Sequence, residues 1–337
     1  MQLILDLLSF ALKGAIIVAA VLVVLGAIVA AARRGRRDEA RMVVRGLNER
    51  FLDLADAVRA AVLGPKRFKK YFHAARKQRK ARGPAARRLF VLDFHGDIAA
   101  TAVASLREEI SGVLGVAGDK DEVVLRLESS GGMVHAYGLA ASQIARIKDR
   151  KLRLVICVDK IAASGGYMMA CLADELVAAP FAVIGSIGVV APVPNVHRLL
   201  ERHGVDYEEI TAGQFKRTVS LLGEISPEGR QKFREQLEDT HRLFKDFVRA
   251  HRPGLDIDQV ATGEYWFGTR AKELKLVDRL MTSDDYLLAQ VEAADIYQVS
   301  FKPAQPWRQR FAGAVSDATA RALEAWWSRL LESRFLH

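Results

Sequence analysis

Ala162-Ala163-Ser164-Gly165-Gly166-Tyr167 follows an apolar run of strand character and opens a helical one, which sets Ser164 at a strand-to-helix turn among backbone N–H groups. An acyl-transfer nucleophile needs that setting, because its attack builds negative charge on a carbonyl oxygen that N–H donors must stabilise. Gly165 N–H, directly after the serine, is the first expected donor. A second turn, Ser129-Ser130-Gly131-Gly132, follows the preceding strand, and Gly131 and Gly132 can offer another, since glycine lets backbone approach a ligand closely. A Gly-Gly pair after a strand also serves as a plain tight turn.

Such a serine requires a base. His95, after the first strand of the folded body, and His135, past the Gly131-Gly132 turn, could approach Ser164, but no acidic residue is spaced to orient either. A lysine kept neutral by burial is the other choice. Lys216 lies in Ala212-Gly213-Gln214-Phe215-Lys216-Arg217-Thr218, and Lys160 stands four positions before Ser164. Spacing does not choose between them. Neither route needs a metal or a cofactor.

The elements that must position these groups alternate. Strands are expected at 89–94, 123–128, 152–158 and 176–178, with helices at 134–148 and 165–173 between them, the pattern of parallel βαβ units. A short helix at 196–203 and a strand at 205–211 lead to the Lys216 turn. Ser226-Pro227-Glu228 starts a helix with a side-chain cap, a first-position proline and a first-turn acid. That helix runs to His251, with Phe233, Leu237, Leu243, Phe244 and Phe247 as its apolar stripe. Cys157 and Cys171 lack metal-ligand spacing and read as small core residues.

The ends differ from this body. Residues 14–32 carry no charge and no proline, long enough as a helix to cross most of a bilayer's hydrocarbon core. The run is read as a membrane anchor; a cleaved signal peptide is the rival reading, disfavoured because residues 1–12 have no positive charge. Residues 33–88 then hold 19 Lys and Arg against 5 acids, an excess above the chain's whole net charge of +10. This basic arm suits anionic lipid headgroups or a solvated spacer; no recognition motif supports nucleic acid as a partner. Residues 311–336 read as an amphipathic helix bearing Trp326 and Trp327, suited to a membrane interface, a neighbouring subunit or its own domain.

Four stretches in order carry a family resemblance: Leu125 to His135, Asp159 to Ala170, Ile184-Gly185-Ser186-Ile187-Gly188-Val189, and Thr211 to Thr218. Through them the chain resembles the signal peptide peptidase A family of membrane-anchored Ser/Lys peptidases, peptidase family S49. The resemblance implies an α/β ClpP/crotonase-like fold with a core parallel sheet after an N-terminal transmembrane helix. It implies Ser164 as nucleophile, Lys216 as general base and Ser186 as the residue that orients the lysine. It also implies a homo-oligomer enclosing its active sites in the bacterial inner membrane, and substrates that are signal peptides or other short apolar segments. The family motif has proline where Ser130 stands, which removes a fixed φ from the turn, and commonly glycine at Lys275. The expected parts are an anchor at 1–32, a basic helical linker at 33–88, a peptidase domain at 89–300 and the C-terminal helix at 301–337. On topology two expectations differ: the positive flank places the body inside the cell, whereas the family's peptidase domain lies outside the cytoplasm. Two rival functions share the sequence, a crotonase-type acyl-CoA enzyme and a catalytically idle membrane scaffold.

Overall fold

The computed structural model describes residues 40–304, apart from 82 and 84. The expected anchor at 14–32 and the amphipathic helix at 311–336 lie outside them; among the described residues no helix is long and apolar enough to cross a membrane. The chain divides into two units, the terminal segments and Val43–Ser300, and the second holds the elements of interest.

Its strands, in chain order, are β1 (Arg41–Gly46), β2 (Arg88–Gly96), β3 (Glu122–Ser129), β4 (Arg153–Val158), β5 (Ile161–Ala163), β6 (Glu175–Ala178), β7 (Val183–Gly185), β8 (Tyr265–Phe267), β9 (Arg279–Leu280) and β10 (Asp295–Lys302). The helices are α1 (Asn48–Ala81), α2 (Val103–Leu114), α3 (Val134–Asp149), α4 (Gly165–Ala170), α5 (His197–Arg202), α6 (Pro227–His251), α7 (Ile257–Val260), α8 (Gly268–Glu273) and α9 (Ser283–Gln290). The sheet order is β1-β10-β2-β3-β4-β6-β9, and the pairs from β10 to β9 are parallel.

Both faces of the central strands are covered, and this explains why they read as unbroken apolar runs rather than alternating ones. One face carries Phe90, Leu92, Phe94, Leu125, Leu127, Leu154 and Ile156 against Leu106 and Ile110 of α2 and Ile144 and Ile147 of α3. The other carries Leu89, Val91, Val124, Val155, Cys157 and Val177 against Tyr286 and Leu287 of α9, with Leu47, Phe51 and Leu52 from the N-terminal side. Residues 47–52 of the basic arm therefore pack on the body. Asn48 fixes them there: its amide donates to the Val291 and Ala294 carbonyls at 3.0 and 2.8 Å and its oxygen accepts from Ile296 N–H at 2.7 Å. α1 breaks at Gly64 (φ 71°, ψ 165°), directly before Pro65, which cannot donate to a continuing helix.

Past the end of β3 the sheet branches. Ser129 pairs with Ala162, β5 pairs with β7, and β7 pairs antiparallel with β8. This side layer carries the candidate chemistry.

Three expectations are corrected. Residues 205–211 form no strand; Val205, Tyr207 and Ile210 are exposed, so the apolar alternation has no neighbouring strand to pair with. α4 ends at Ala170 rather than residue 173. In α6 the buried apolar residues are Phe244 and Val248, while Leu243 points outward. The start of α6 is as expected, with Ser226 Oγ accepting from Gly229 N–H at 3.0 Å.

Candidate active site

Ser164 sits between β5 and α4 with φ 52° and ψ −119°. A side-chain-bearing residue avoids that region, and holding one there costs on the order of 1–3 kcal/mol. The surroundings enforce it: Ser164 N–H donates to the Gly185 carbonyl at 2.8 Å and its own carbonyl accepts from Met168 N–H at 3.0 Å. The sharp turn presents a half-buried hydroxyl ahead of a helix. Gly165, as the first residue of that helix, has an N–H without an intrahelical acceptor.

The register Ser129↔Ala162 brings the other glycine turn alongside. Gly131 adopts φ +87°, and a Cβ built on it would lie 2.7 Å from Gly165 N, 2.8 Å from Ser164 Cβ and 2.9 Å from the Ala163 carbonyl oxygen. The two turns are thus in backbone contact. Gly131 N–H is already engaged, donating to Ser129 Oγ at 3.1 Å. Gly132 follows with its Cα packed against the Ile98 carbonyl, and among the described residues its N–H has no acceptor. Of the two expected donors from this turn, Gly132 is the free one.

Ser186 lies one residue past β7 as Ser164 lies one past β5, and the register Ala163↔Gly185 puts the two serines side by side. Ser186 is also left-handed, at φ 50°, with its N–H donated to the Glu264 carbonyl at 2.7 Å. His241 of α6, a residue the sequence reading passed over, reaches the next carbonyl, with Nε2 3.2 Å from Ile187 O.

Lys216 is placed differently. Its turn is closed by Lys216 N–H donating to Gly213 O at 3.1 Å, its side chain is exposed, and its ammonium is not in hydrogen-bond contact with Ser164. The segment around it is anchored to residues 195 and 196: Asn195 donates to the Ser220 and Gly223 carbonyls at 2.9 and 3.0 Å, and Val196 N–H to Leu221 O at 2.9 Å. Ile210, 88% exposed, Phe215 and Leu221 stand open on the same segment.

Two of the other candidate bases are engaged elsewhere. Lys160 donates to Glu128 at 3.1 Å from a side chain 71% exposed, and His95 Nδ1 lies 3.6 Å from the same carboxylate. His135 is exposed. Among the described residues no group of His, Cys, Asp and Glu could hold a metal ion. The arrangement sets a strained serine beside a second serine, with the Gly165 and Gly132 N–H groups open on the two adjoining turns.

The profile described as Peptidase family S49 matches residues 146–296, and Peptidase family S49 N-terminal matches residues 2–144. The "Probable protease SohB" of Haemophilus influenzae is 55% identical over 230 residues, 68% of this chain and 65% of that protein. Its counterpart of the same name in Buchnera aphidicola subsp. Acyrthosiphon pisum is 51% identical over 237 residues, 70% of each chain. "Protease 4" of Salmonella typhi is more distant, 30% identical over 178 residues, 52% of this chain and 29% of that protein. The match thus spans just under two thirds of the Haemophilus protein's length.

Proposed function

The chain belongs to peptidase family S49, and from that premise we propose that it is a membrane-anchored serine endopeptidase cleaving signal-peptide-like or other membrane-associated apolar segments. The supporting observation is the backbone of Ser164, held at φ 52° and ψ −119° on a strand-to-helix turn and pressed against Gly131. Strain of this kind persists only where surrounding structure enforces it, and here it sets one half-buried serine at the head of α4.

In the proposed reaction the neutral amine of Lys216 takes the Ser164 proton as Oγ attacks the peptide carbonyl. The oxyanion accepts hydrogen bonds from Gly165 and Gly132 N–H. Lys216 returns the proton to the leaving amine, then takes one from the water that cleaves the acyl-enzyme. Ser186 orients the lysine. Further copies of the chain, packed on the open apolar residues 205–221, shelter the lysine and bring it to the serine. The anchor at 14–32 and the basic arm hold the enzyme at the bacterial inner membrane; protease protection in sealed vesicles reads which side the catalytic unit faces.

Purified full-length protein with Ser164→Ala or Lys216→Ala should cleave a fluorogenic apolar peptide at least about 10³-fold more slowly than the parent. A serine-directed fluorophosphonate should label the parent and not the Ser164 variant. Parental activity in either variant ends the assignment.

A further inference from the structure

Behind the two glycine turns lies a buried polar chain that the reaction above does not use. Ser129, the last residue of β3, and Tyr137, in the first turn of α3, are both buried, and their side-chain oxygens are 2.6 Å apart. Tyr137 has a single hydroxyl proton, which goes to the Asp97 carbonyl at 2.8 Å. The proton between the two side chains is therefore that of Ser129, whose lone pairs remain to accept Gly131 N–H at 3.1 Å. Gly131, Ser129, Tyr137 and Asp97 thus form a one-way chain in which each bond polarises the next. Burial pushes the Tyr137 phenol above its ordinary value, so it keeps the proton it donates.

The same side chains meet the turns by contact. A Cβ on Gly165 would be driven into the Tyr137 ring, and one on Gly96 into both the Ser129 and Tyr137 oxygens. One tyrosine thus backs the residue after the nucleophile and, through Ser129, fixes the backbone of the opposite turn.

We propose that Ser129 and Tyr137 are positioning residues of the peptidase site: their hydrogen-bonded chain locks the Ser130–Gly131 peptide with its N–H turned inward, so that Gly132 supplies this turn's donor to the oxyanion. The proposal rests on the reading of Ser164 as nucleophile. Buried polar groups require partners in any protein, so a role confined to stability must be separated from a role in positioning.

The test uses full-length Ser129→Ala and Tyr137→Phe, with kcat and KM measured separately, melting followed in parallel, and Gly131 amide exchange read by fragmentation mass spectrometry. The expected result is a kcat about 10–100-fold lower, the scale of a misplaced oxyanion donor. KM should stay within about twofold, since a donor serving the transition state contributes little to ground-state binding. Gly131 amide exchange should be faster in both variants. Parental kcat in the folded variants, or unchanged exchange at Gly131, overturns the proposal even if melting temperatures fall. Ser164→Ala run alongside separates the two claims: activity retained there overturns the nucleophile reading and the positioning role with it. Activity lost there, with parental kcat in the other two variants, overturns the positioning role alone.

Discussion

Gly131 passes so close to Ser164 that a Cβ added to the glycine would lie 2.8 Å from the serine's own Cβ. The approach is backbone to backbone, since Gly165 N would be 2.7 Å away and the Ala163 carbonyl oxygen 2.9 Å. Neither can move without disturbing the turn that strains the serine. Gly131 also needs φ +87°, which an L side chain disfavours by about 1–2 kcal/mol. Gly131→Ala should therefore lower peptidase activity by at least about 10²-fold, as for loss of an oxyanion donor. It should also destabilise the unit by on the order of 2 kcal/mol, read from urea unfolding. Parental kinetics in this variant would show that the contact is incidental.

Strain at Ser164 makes a prediction about stability that is independent of activity. Alanine in its place keeps the unfavourable φ 52°, ψ −119°, whereas glycine adopts it freely. Ser164→Gly should be more stable than Ser164→Ala by about 1 kcal/mol, the strain released less the extra unfolded-state entropy of glycine. In a unit of this size that is a melting-temperature difference of roughly 2–4 °C. Both variants should be inactive. An alanine variant as stable as the glycine one would mean the turn relaxes without the hydroxyl.

The central sheet was legible because its strands are covered on both faces and so form continuous apolar runs: 123–128 and 176–178 lie within the observed β3 and β6, and 152–158 differs from β4 only at its first residue. The start of α6 was legible from Ser226-Pro227-Glu228, since capping is local chemistry. Two glycine turns after successive strands already suggested that Gly131-Gly132 and Ser164 face one carbonyl, but the backbone contact of Gly131 with Ser164 was not legible. It depends on the register Ser129↔Ala162 between elements far apart in sequence, and spacing carries no distance. For the same reason the chain from Gly131 to Tyr137 was invisible: Ser129 and Tyr137 look like a strand end and an ordinary helix position until the fold brings their oxygens to 2.6 Å. Residues 205–211 misled because alternation signals a strand only where another strand is present to pair.

Cys157 and Cys171 should be silent in the native protein. Burial pushes both thiols up to about 12, far from the thiolate that alkylation requires. Iodoacetamide at pH 8 should label neither cysteine in the folded chain and both in urea, counted by intact mass, and should leave peptidase activity unchanged. Fast native labelling of Cys171, which caps the helix that follows Ser164, would show that α4 opens in solution.

Asp278 links the helix after Ser164 to acid stability. Arg252, at the end of α6, donates to both of its carboxylate oxygens at 2.8 Å, and Leu176 N–H donates to one of them at 2.7 Å. Arg252 also reaches the Lys275 carbonyl at 3.0 Å, and Tyr167 of α4 donates to the Leu276 carbonyl at 3.0 Å, so the loop between α8 and β9 ties α6 to α4. Burial alone would raise the Asp278 carboxyl; the arginine and the Leu176 N–H outweigh it and hold the group below its ordinary value. A depressed carboxyl contributes stability that is fully present above its unfolded value near 4 and is lost as pH falls through the lower folded value. With Arg252 only 11% exposed but Asp278 38% exposed, the cost of Asp278→Asn at pH 7 should be about 2 kcal/mol, below the range for fully buried pairs. The gap between parent and variant should then narrow as the pH is lowered from 4 towards 2, because the parent's carboxylate takes up its proton and loses the pair that the variant already lacks. Urea unfolding at pH 7 and at pH 2.5 measures both gaps, and equal gaps would exclude the Arg252 pair as the source of the stability.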